Sequence, residues 1–178
     1  MIGYAIGKKL ENPRHLVSQH NLPPMKAVLQ RVRSASVEVD QKIVGQIGLG
    51  LLILLGAAKG DTDTDVNYMV RKIPLLRIFP DESGKMNRSV VDIRGAILMV
   101  SQFTLLGDVT QGRRPSFEEA APPDIARGLY DLTIAKLKAS GLPVQTGRFG
   151  ASMLVSLQND GPVTFLLDSR NREKTKMG

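Results

Sequence analysis

Residues 49–58 read LGLLILLGAA, the longest apolar run in the chain. The run contains two glycines and is far shorter than the roughly 20 residues that a membrane-spanning helix requires. A short, continuous apolar segment of this kind is typical of a buried strand. We therefore expect residues 51–55 to form a buried strand of a sheet.

The segments that precede this strand also have the pattern of β-structure. Residues 26–32 and 36–40 are strand-like, and the second alternates valine with acidic residues. A turn at Gln41 and Lys42 leads into residues 43–47, which predicts a hairpin. From residue 26 to residue 55 we therefore expect strands.

Two helices are expected after the buried strand. Residues 61–65, DTDTD, supply caps and negative charge for a helix that runs to about Lys72, and Pro74 should end or bend it. A longer helix should span about residues 122–141, because proline suits the first turn of a helix and glycine its C-terminal cap. One broad apolar face of this helix carries Ile125, Leu129, Tyr130, Leu132, Ile134 and Leu137.

The order of the elements predicts the class of fold. Further predicted elements are an extended segment at 75–79, a turn at 81–85, a strand at 96–103, a short helix at 116–120 and a final hairpin around 159–164. Strands and helices in this order do not alternate regularly, as they do in βαβ proteins. We predict a single α/β domain with a curved, barrel-like sheet that is mixed and mostly antiparallel, and with helices packed on its outside.

The composition excludes several kinds of chemistry. A chain of 178 residues with 42% apolar and 23% charged residues can bury a core as a soluble, globular protein. Cysteine is absent, which excludes disulfides, thiolate catalysis and zinc sites built on cysteine. His15 and His20 both precede Met25, so the rest of the chain cannot supply a Ser-His-Asp or Cys-His mechanism. Catalysis would depend on other side chains, backbone groups or the substrate, which favours easily cleaved bonds such as activated esters.

The termini carry most of the net charge of +7. Residues 1–24 contain three Lys or Arg and one Glu, and residues 170–178 contain four and one, which leaves +2 for the body. The first segment lacks the apolar core of a secretory signal, and Met25 opens the strand pattern. We expect residues 1–24 to be an N-terminal extension or a cloning remnant, residues 25–169 the functional domain, and residues 170–178 a solvated basic tail.

Two short patterns favour structural roles. Residues 45–50, GQIGLG, are followed by a strand instead of the helix of a nucleotide-binding loop, which favours strand bends or close packing. Asp61, Asp63 and Asp65 alternate as in a calcium loop, but the glycine and the final glutamate of that loop are missing. Helix capping is the favoured role of these aspartates.

Two other motifs are candidates for chemistry. Residues 101–105, SQFTL, follow the apolar strand directly, so polar groups and backbone amides at its end can face a cleft. The alternative is a strand terminus with satisfied hydroxyls. Arg113 and Arg114 could hold a phosphate, or they could pair with Glu118 and Glu119. The sequence leaves both choices open.

A glycine and a proline interrupt the last apolar region. Residues 159–164, NDGPVT, lie between two runs that have the pattern of strands. Proline donates no hydrogen bond to a sheet and is normally absent from central strands. The segment is therefore either an ordinary turn or a rigid polar kink.

The motifs together resemble those of the D-aminoacyl-tRNA deacylase family, also called the D-tyrosyl-tRNA deacylase family. SQFTL and NDGPVT occur in order with LQRV at 29–32, LRIFPDESGKMN at 76–87, GRRPSF at 112–117 and FGASM at 149–153. This ordered set is far more specific than SQFTL alone. The resemblance extends from about residue 25 to residue 169.

The resemblance implies a cytoplasmic homodimer that hydrolyses the ester between a D-amino acid and the 3′ end of tRNA. It implies active sites at the subunit interface, tRNA as the partner, and no metal, cofactor or membrane. A cis peptide bond between Gly161 and Pro162 would reach into the partner subunit's site and reject L-amino acids there. Glycine has no Cβ, so such a filter should also admit glycyl-tRNA, including glycine mischarged on tRNA-Ala.

The resemblance also implies roles for single residues around the ester. Ser101 and Gln102 would position the ester and the terminal adenosine, and the backbone amides of Phe103 and Thr104 would stabilise the oxyanion. The ribose 2′-hydroxyl of the substrate would assist the attack. The adenosine pocket would be lined by Phe149, Gly150 and Met153.

The resemblance also implies which residues support the Gly161-Pro162 kink, and the role of one of them, Thr164, has an alternative. Asn159 and Thr164 would brace the turn, and Arg31 would orient it. Thr164 could instead be a nucleophile that forms an acyl-enzyme, although no base lies near it in the sequence.

Two alternative functions of the whole protein stay open. One is a non-catalytic, dimeric module that binds tRNA or nucleotides, and the other is a structural dimer in which Gly161-Pro162 is merely a turn.

Overall fold

The computed structural model describes residues 24–170, which form eight strands and two α-helices. The strands are β1 (Lys26–Val39), β2 (Lys42–Ile47), β3 (Gly50–Gly56), β4 (Phe79–Pro80), β5 (Met86–Arg88), β6 (Ala96–Ser101), β7 (Val144–Thr146) and β8 (Leu154–Asp168). The helices are α1 (Asp63–Lys72) and α2 (Pro123–Ala139), and 3₁₀ turns occupy Ile73–Leu75 and Phe103–Leu106. The predicted extension and tail lie outside the described residues, apart from Pro24 and Arg170.

The apolar run at residues 51–55 lies within β3, as predicted. β3 pairs antiparallel with β1 and parallel with β6, and β6 pairs parallel with β7. Leu51 and Ile53 belong to the core on one face of the sheet, and Leu52 belongs to the core on the other. Because successive side chains point to opposite faces, a strand that is covered on both needs an uninterrupted apolar sequence.

β1 is one strand of 14 residues, where the sequence predicted two. One edge of β1 pairs with β8 along nearly its whole length. The other edge pairs with β3 through residues 26–32 and with β2 through residues 35–39. The polar residues near its middle do not end the strand because β8 remains a common partner of both halves.

The sheet curls until β2 approaches β7, which makes it barrel-like. A Cβ on Gly45 in β2 would lie 2.5 Å from the Thr146 carbonyl oxygen in β7, so only glycine permits this approach. Most strand pairs are antiparallel, and the β3–β6 and β6–β7 pairs are parallel. The predicted fold class, a curved and mostly antiparallel mixed sheet with outer helices, is confirmed.

Both helices pack on the same outer face of the sheet. Thr62 caps α1 in a capping box with Asp65, as the DTDTD segment predicts. Gly141 follows the end of α2 with a φ of 85°. Ile125 is 51% exposed, against the prediction that the apolar face of α2 extends into its first turn. Neither α-helix within residues 24–170 is long and apolar enough to cross a membrane.

Three local predictions are wrong in part or in full. The strand predicted for 96–103 ends at Ser101, and the extended segment predicted for 75–79 begins after a 3₁₀ turn. Residues 116–120 form no helix, because Ser116 exchanges two backbone hydrogen bonds with Asp108 and Ala120 forms a bridge with Ala58. Backbone groups that a helix would use are thus committed to other segments.

Candidate active site

A pocket of about 530 Å³ lies where β3 and β6 end. The two parallel strands stay joined at this edge because the Gln102 N–H donates to the Leu55 carbonyl oxygen at 2.8 Å. Ligands commonly bind at the carboxyl ends of parallel strands. The lining is mostly apolar and consists of Leu55, Ala57, Lys59, Ser101, Phe103, Phe117, Glu118, Ala120, Ala121, Pro122, Pro123, Ala126, Tyr130, Phe149 and Gly150.

The SQFTL segment supplies the pocket with alternate residues. Ser101 and Phe103 line it, whereas Gln102 and Thr104 do not. The Gln102 side-chain amide instead donates to the Thr104 hydroxyl at 2.6 Å. Phe103 and Thr104 are the first two residues of a 3₁₀ turn, where backbone N–H groups have no partner within the turn itself. The strand end therefore presents a hydroxyl, an aromatic ring and backbone amides together.

Two pairs of aromatic rings form the walls. Phe103 meets Phe117 edge to face, with ring centroids 5.0 Å apart, and Tyr130 lies 5.8 Å from Phe149. The Tyr130 hydroxyl donates to the Met99 carbonyl oxygen at 2.8 Å. Burial, and to a lesser degree the charge of Asp131, raises the pKa of Tyr130 above its ordinary value, so its proton is retained for this bond.

A buried carboxylate holds the turn that joins both sides of the pocket. The Lys59 N–H donates to the Glu119 carbonyl oxygen at 2.9 Å, and the Ala121 N–H donates to the Ala57 carbonyl oxygen at 3.0 Å. Asp61 fixes this turn by accepting the Ala58 N–H at 2.6 Å. Burial raises the pKa of Asp61 to about 7, although the bond from Ala58 opposes the shift.

Few charged groups face the pocket. Lys59 and Glu118 are the charged residues among those that line it. Within residues 24–170, no group of three or more His, Cys, Asp or Glu residues converges as metal ligands would.

The NDGPVT segment is an excursion within one strand, and the predicted final hairpin is wrong. The two end residues of this segment pair with β1, Thr164 with Gln30 and Asn159 with Val32. Residues 160–163 thus lie opposite the single residue Arg31. The strand pattern resumes on the same partner, which no local signal in the sequence reveals. The peptide bond between Gly161 and Pro162 is cis, as the resemblance implies.

Arg31 and Asn159 hold the excursion from inside. The Arg31 guanidinium donates to the Asp160 carbonyl oxygen at 2.8 Å and to the Ile78 carbonyl oxygen at 2.7 Å. The Asn159 side-chain carbonyl accepts the Val163 N–H at 2.7 Å. The segment is therefore fixed by bonds to its own backbone, and one of them comes from a buried cation.

Gly161 has the most restricted position of the excursion. Its φ is 139°, a conformation that residues with side chains rarely adopt. A Cβ there would lie 2.6 Å from a Val163 methyl group and 3.0 Å from an Arg31 nitrogen. A glycine is thus required for the segment to approach Arg31.

The predicted site residues fall into two groups in the structure. Four of them line the pocket, namely Ser101, Phe103, Phe149 and Gly150. The excursion lies elsewhere in the chain, and none of its residues lines this pocket. Nor does Met153, whose sulfur instead packs beside Gly147.

Sequence reasoning missed several wall residues. Phe117 was visible only as the last letter of the GRRPSF motif, in a segment that was predicted to be helical. Tyr130 was assigned to the apolar face of α2, and that face also reaches the pocket. Lys59 gave no signal, and Glu118 was considered only as a partner of the arginines. Both reach the wall through backbone pairing of two distant segments, as in the bond from the Lys59 N–H to the Glu119 carbonyl oxygen.

Fold and site together define an α/β protein with a ligand pocket at the ends of parallel strands in a barrel-like sheet. A family model described as D-Tyr-tRNA(Tyr) deacylase matches residues 28–168. A D-aminoacyl-tRNA deacylase of Thermosipho africanus (strain TCF52B) is 58% identical over 146 residues, which are 82% of this chain and 98% of the relative. One of Desulfitobacterium hafniense (strain DSM 10664 / DCB-2) is 57% identical over 145 residues, 82% and 97% of the two chains.

Two solved structures have the same fold. One named c-Myc DNA Unwinding Element Binding Protein is 46% identical, with a TM-score of 0.76 over 81% of this chain and 98% of its own. A probable eukaryotic D-amino acid tRNA deacylase is 20% identical, with a TM-score of 0.68, and its likeness concerns the fold alone. The chain belongs to the D-Tyr-tRNA(Tyr) deacylase family and is a hydrolase that acts on an ester bond.

Proposed function

We propose that this protein hydrolyses the ester that joins a D-amino acid to the 3′ end of tRNA, in the cytoplasm, and releases both. The observation that carries this proposal is the family match over residues 28–168, together with a pocket lined by Ser101 and Phe103 of the SQFTL motif. Removal of the D-amino acid returns the tRNA for charging with the L-enantiomer, which is a proofreading function in translation.

The pocket would hold the terminal adenosine and its ester. Phe103 and Phe149 offer aromatic faces for the base, and such stacking contributes roughly 1–3 kcal/mol per base. Gly150 leaves room beside Phe149, and Ser101 positions the ester from the pocket wall. Gln102 acts indirectly, because its side-chain amide holds Thr104 in the turn that carries the oxyanion amides. Water attacks the carbonyl carbon, the N–H groups of Phe103 and Thr104 stabilise the oxyanion, and the ribose 3′-oxygen leaves with a proton.

The attacking water would be assisted by the substrate's own 2′-hydroxyl. Among the residues that line the pocket, Glu118 carries the one carboxylate, and we assign it no role as a base. Glu118→Gln should therefore keep kcat within about threefold, whereas tRNA ending in 2′-deoxyadenosine should lose most of its turnover. A loss of roughly 10²–10⁴-fold in Glu118→Gln would identify that residue as the base instead.

Thr164 would brace the excursion and not attack the ester. Its hydroxyl accepts hydrogen bonds from the side-chain amides of Asn159, at 3.1 Å, and Gln30, at 3.4 Å. Neither amide can remove a proton, so this environment does not activate a nucleophile. Thr164→Ala should retain turnover, and trapping of an acyl-enzyme on Thr164 would contradict this role.

Chiral selection would come from the backbone of Gly161 and Pro162. Arg31 and Asn159 hold this segment by its backbone groups, so it cannot rotate away from an incoming substrate as a side chain can. A fixed main chain beside the Cα of the amino acid would exclude an L side chain by steric overlap. Glycyl-tRNA, including glycine mischarged on tRNA-Ala, would pass because glycine has no Cβ.

A homodimer would bring this segment into the partner's pocket. β8 pairs only with β1 within the described part of the chain, and it is an edge strand. It exposes large apolar side chains at Leu154, Leu157, Phe165 and Leu166. Exposed apolar groups on an edge strand favour association with another chain.

Turnover is the first test of this proposal. Purified protein is incubated with D-aminoacyl-, glycyl- and L-aminoacyl-tRNA, and the release of amino acid is followed. Hydrolysis of the first two and rejection of the third are expected. RNA binding without any hydrolysis would favour the non-catalytic module.

Mixed dimers test whether each site uses both subunits. Phe103→Ala damages the pocket, and Gly161→Ala damages the excursion. A dimer with one copy of each keeps one site in which pocket and excursion are both intact, so part of the D-specific activity should return on mixing. Absence of any return, when native mass spectrometry confirms mixed dimers, would mean that each subunit completes its own site.

A further inference from the structure

A loop beside the pocket carries two arginines that have no partner among the described residues. This basic loop, residues 109–115, is closed at its base by the two backbone hydrogen bonds between Asp108 and Ser116, at 2.8 and 2.9 Å. Arg113 and Arg114 are exposed, and neither guanidinium forms an ion pair or hydrogen bond within residues 24–170. The pairing with nearby glutamates that the sequence left open is therefore absent from the described residues, and both cations are available to a ligand.

The basic loop stands at the rim of the pocket. Ser116 at its base is followed by Phe117, which lines the pocket and packs against the exposed ring of Phe103. Arg114 precedes Phe117 by three residues, so their Cα atoms lie at most about 10 Å apart. Lys59, which is also exposed and lines the pocket, adds a third cation near this rim.

We propose that the basic loop binds backbone phosphates of the single-stranded 3′ end of tRNA where that strand leaves the pocket. The inference rests on the proposed function and deepens it. A nucleoside whose base and ester occupy the pocket must continue past the rim as a phosphate-bearing strand. Guanidinium groups bind phosphate oxygens in a forked geometry, and an exposed loop with two of them suits this strand without reading its bases.

A matched pair of double variants distinguishes the effect of charge in the basic loop from the effect of the protein's overall charge. Arg113→Gln with Arg114→Gln removes two positive charges at the rim. Lys42→Gln with Lys138→Gln removes two exposed positive charges from the start of β2 and the last turn of α2, and neither lysine lines the pocket. The two variants have the same net charge, so a difference between them reports on position.

Binding is measured first, by fluorescence anisotropy with a 5′-labelled RNA tetranucleotide of sequence ACCA. At about 0.1 M salt the arginine variant should bind roughly tenfold more weakly than the parent, and the lysine variant within twofold of it. Loss of two phosphate contacts should also make the plot of the logarithm of the association constant against the logarithm of salt concentration less steep, by about 1.4. Equal affinity and equal slope in the two variants would overturn the proposal.

Turnover of two esters then shows whether the arginines act on the phosphates of the substrate or on the pocket. The arginine variant should show a raised KM and unchanged kcat for D-aminoacyl-tRNA, and parental kinetics for 3′-O-D-aminoacyl-adenosine, which has no phosphate. An equal loss with both esters would show that the loop acts on the pocket and not on the strand, and it would refute the inference. If the parent hydrolyses neither ester, the proposed function fails, while the RNA titration still decides whether the loop binds phosphates.

Discussion

Replacing Arg31 with lysine tests how the excursion of β8 is held. The Arg31 side chain is 10% exposed, and it bonds to the carbonyl oxygens of Asp160 and Ile78, which belong to distant segments. Arg31 also forms an ion pair with the Asp160 carboxylate at 3.6 Å. Arg33 provides a matched control, because it contacts Asp160 through that carboxylate alone, at 3.1 Å, and is 74% exposed. The two substitutions remove the same chemistry from a buried and an exposed position.

The structure sets the size of the expected difference. A hydrogen bond from a charged donor contributes roughly 1.5–3 kcal/mol. A lysine ammonium lacks the fork of a guanidinium and can replace one of the two bonds of Arg31 at best. Arg31→Lys should therefore lower the free energy of unfolding by about 1.5–3 kcal/mol. Arg33→Lys should lower it by less than about 1 kcal/mol, since exposed ion pairs contribute little.

Urea denaturation at a fixed protein concentration measures the stability difference. Under the proposed function, Arg31→Lys should also reduce the ratio of kcat/KM for D- over L-aminoacyl-tRNA by about tenfold or more, since about 1.4 kcal/mol of lost positioning corresponds to that factor. The Arg33 variant should keep the ratio. Equal unfolding midpoints and equal D/L ratios for the two variants would refute the assignment of Arg31 as the residue that holds the excursion.

Three further predictions concern the pocket and the barrel. Burial raises the pKa of Asp61 to about 7 from 3.8, so between these pH values the folded protein retains a proton that the unfolded chain has lost. The free energy of unfolding should therefore fall as pH rises through that window. Thermal melts of Asp61→Asn from pH 4 to 8 should not show this fall. Tyr130→Phe should lower the unfolding free energy by only about 1 kcal/mol, measured in urea, because the Met99 carbonyl oxygen keeps a second donor. Gly45→Ala should lower the melting temperature, whereas Gly48→Ala, which meets no atom within 4 Å, should change it little, and equal shifts would contradict closure at Gly45.

Local patterns predicted the elements whose partners are close in sequence. The DTDTD segment contains its own cap, and the apolar run at 51–55 requires burial in any fold, so α1 and β3 were foreseeable. The excursion of β8 was not, because an apolar run, a Gly-Pro pair and a second apolar run describe a hairpin equally well. Only the register against β1, a strand more than 120 residues away, distinguishes the two.

The same limit applied to the site. SQFTL was recognisable because it ends a strand, and the structure brings Ser101 and Phe103 to the pocket from there. Residues 116–120 have a serine and two glutamates in the order of a helix start, yet their backbone pairs with Asp108 and Ala58. Tertiary hydrogen bonds outweighed local propensity here, and they brought Phe117 and Glu118 into the wall.

The position of the excursion explains why selectivity and catalysis should respond to different substitutions. β1 connects the two regions: through β3 it leads to the pocket at Leu55, and through β8 it leads to the excursion opposite Arg31. Each region has its own supports, since Asp61 and Tyr130 hold the pocket and Arg31 holds the excursion. A change in the pocket should alter the rate for D- and glycyl-esters alike, because both must stack there. A change in the excursion should first alter the ratio of kcat/KM for D- over L-aminoacyl-tRNA. That segment would lie only on the side of the amino acid's Cα that an L side chain would occupy.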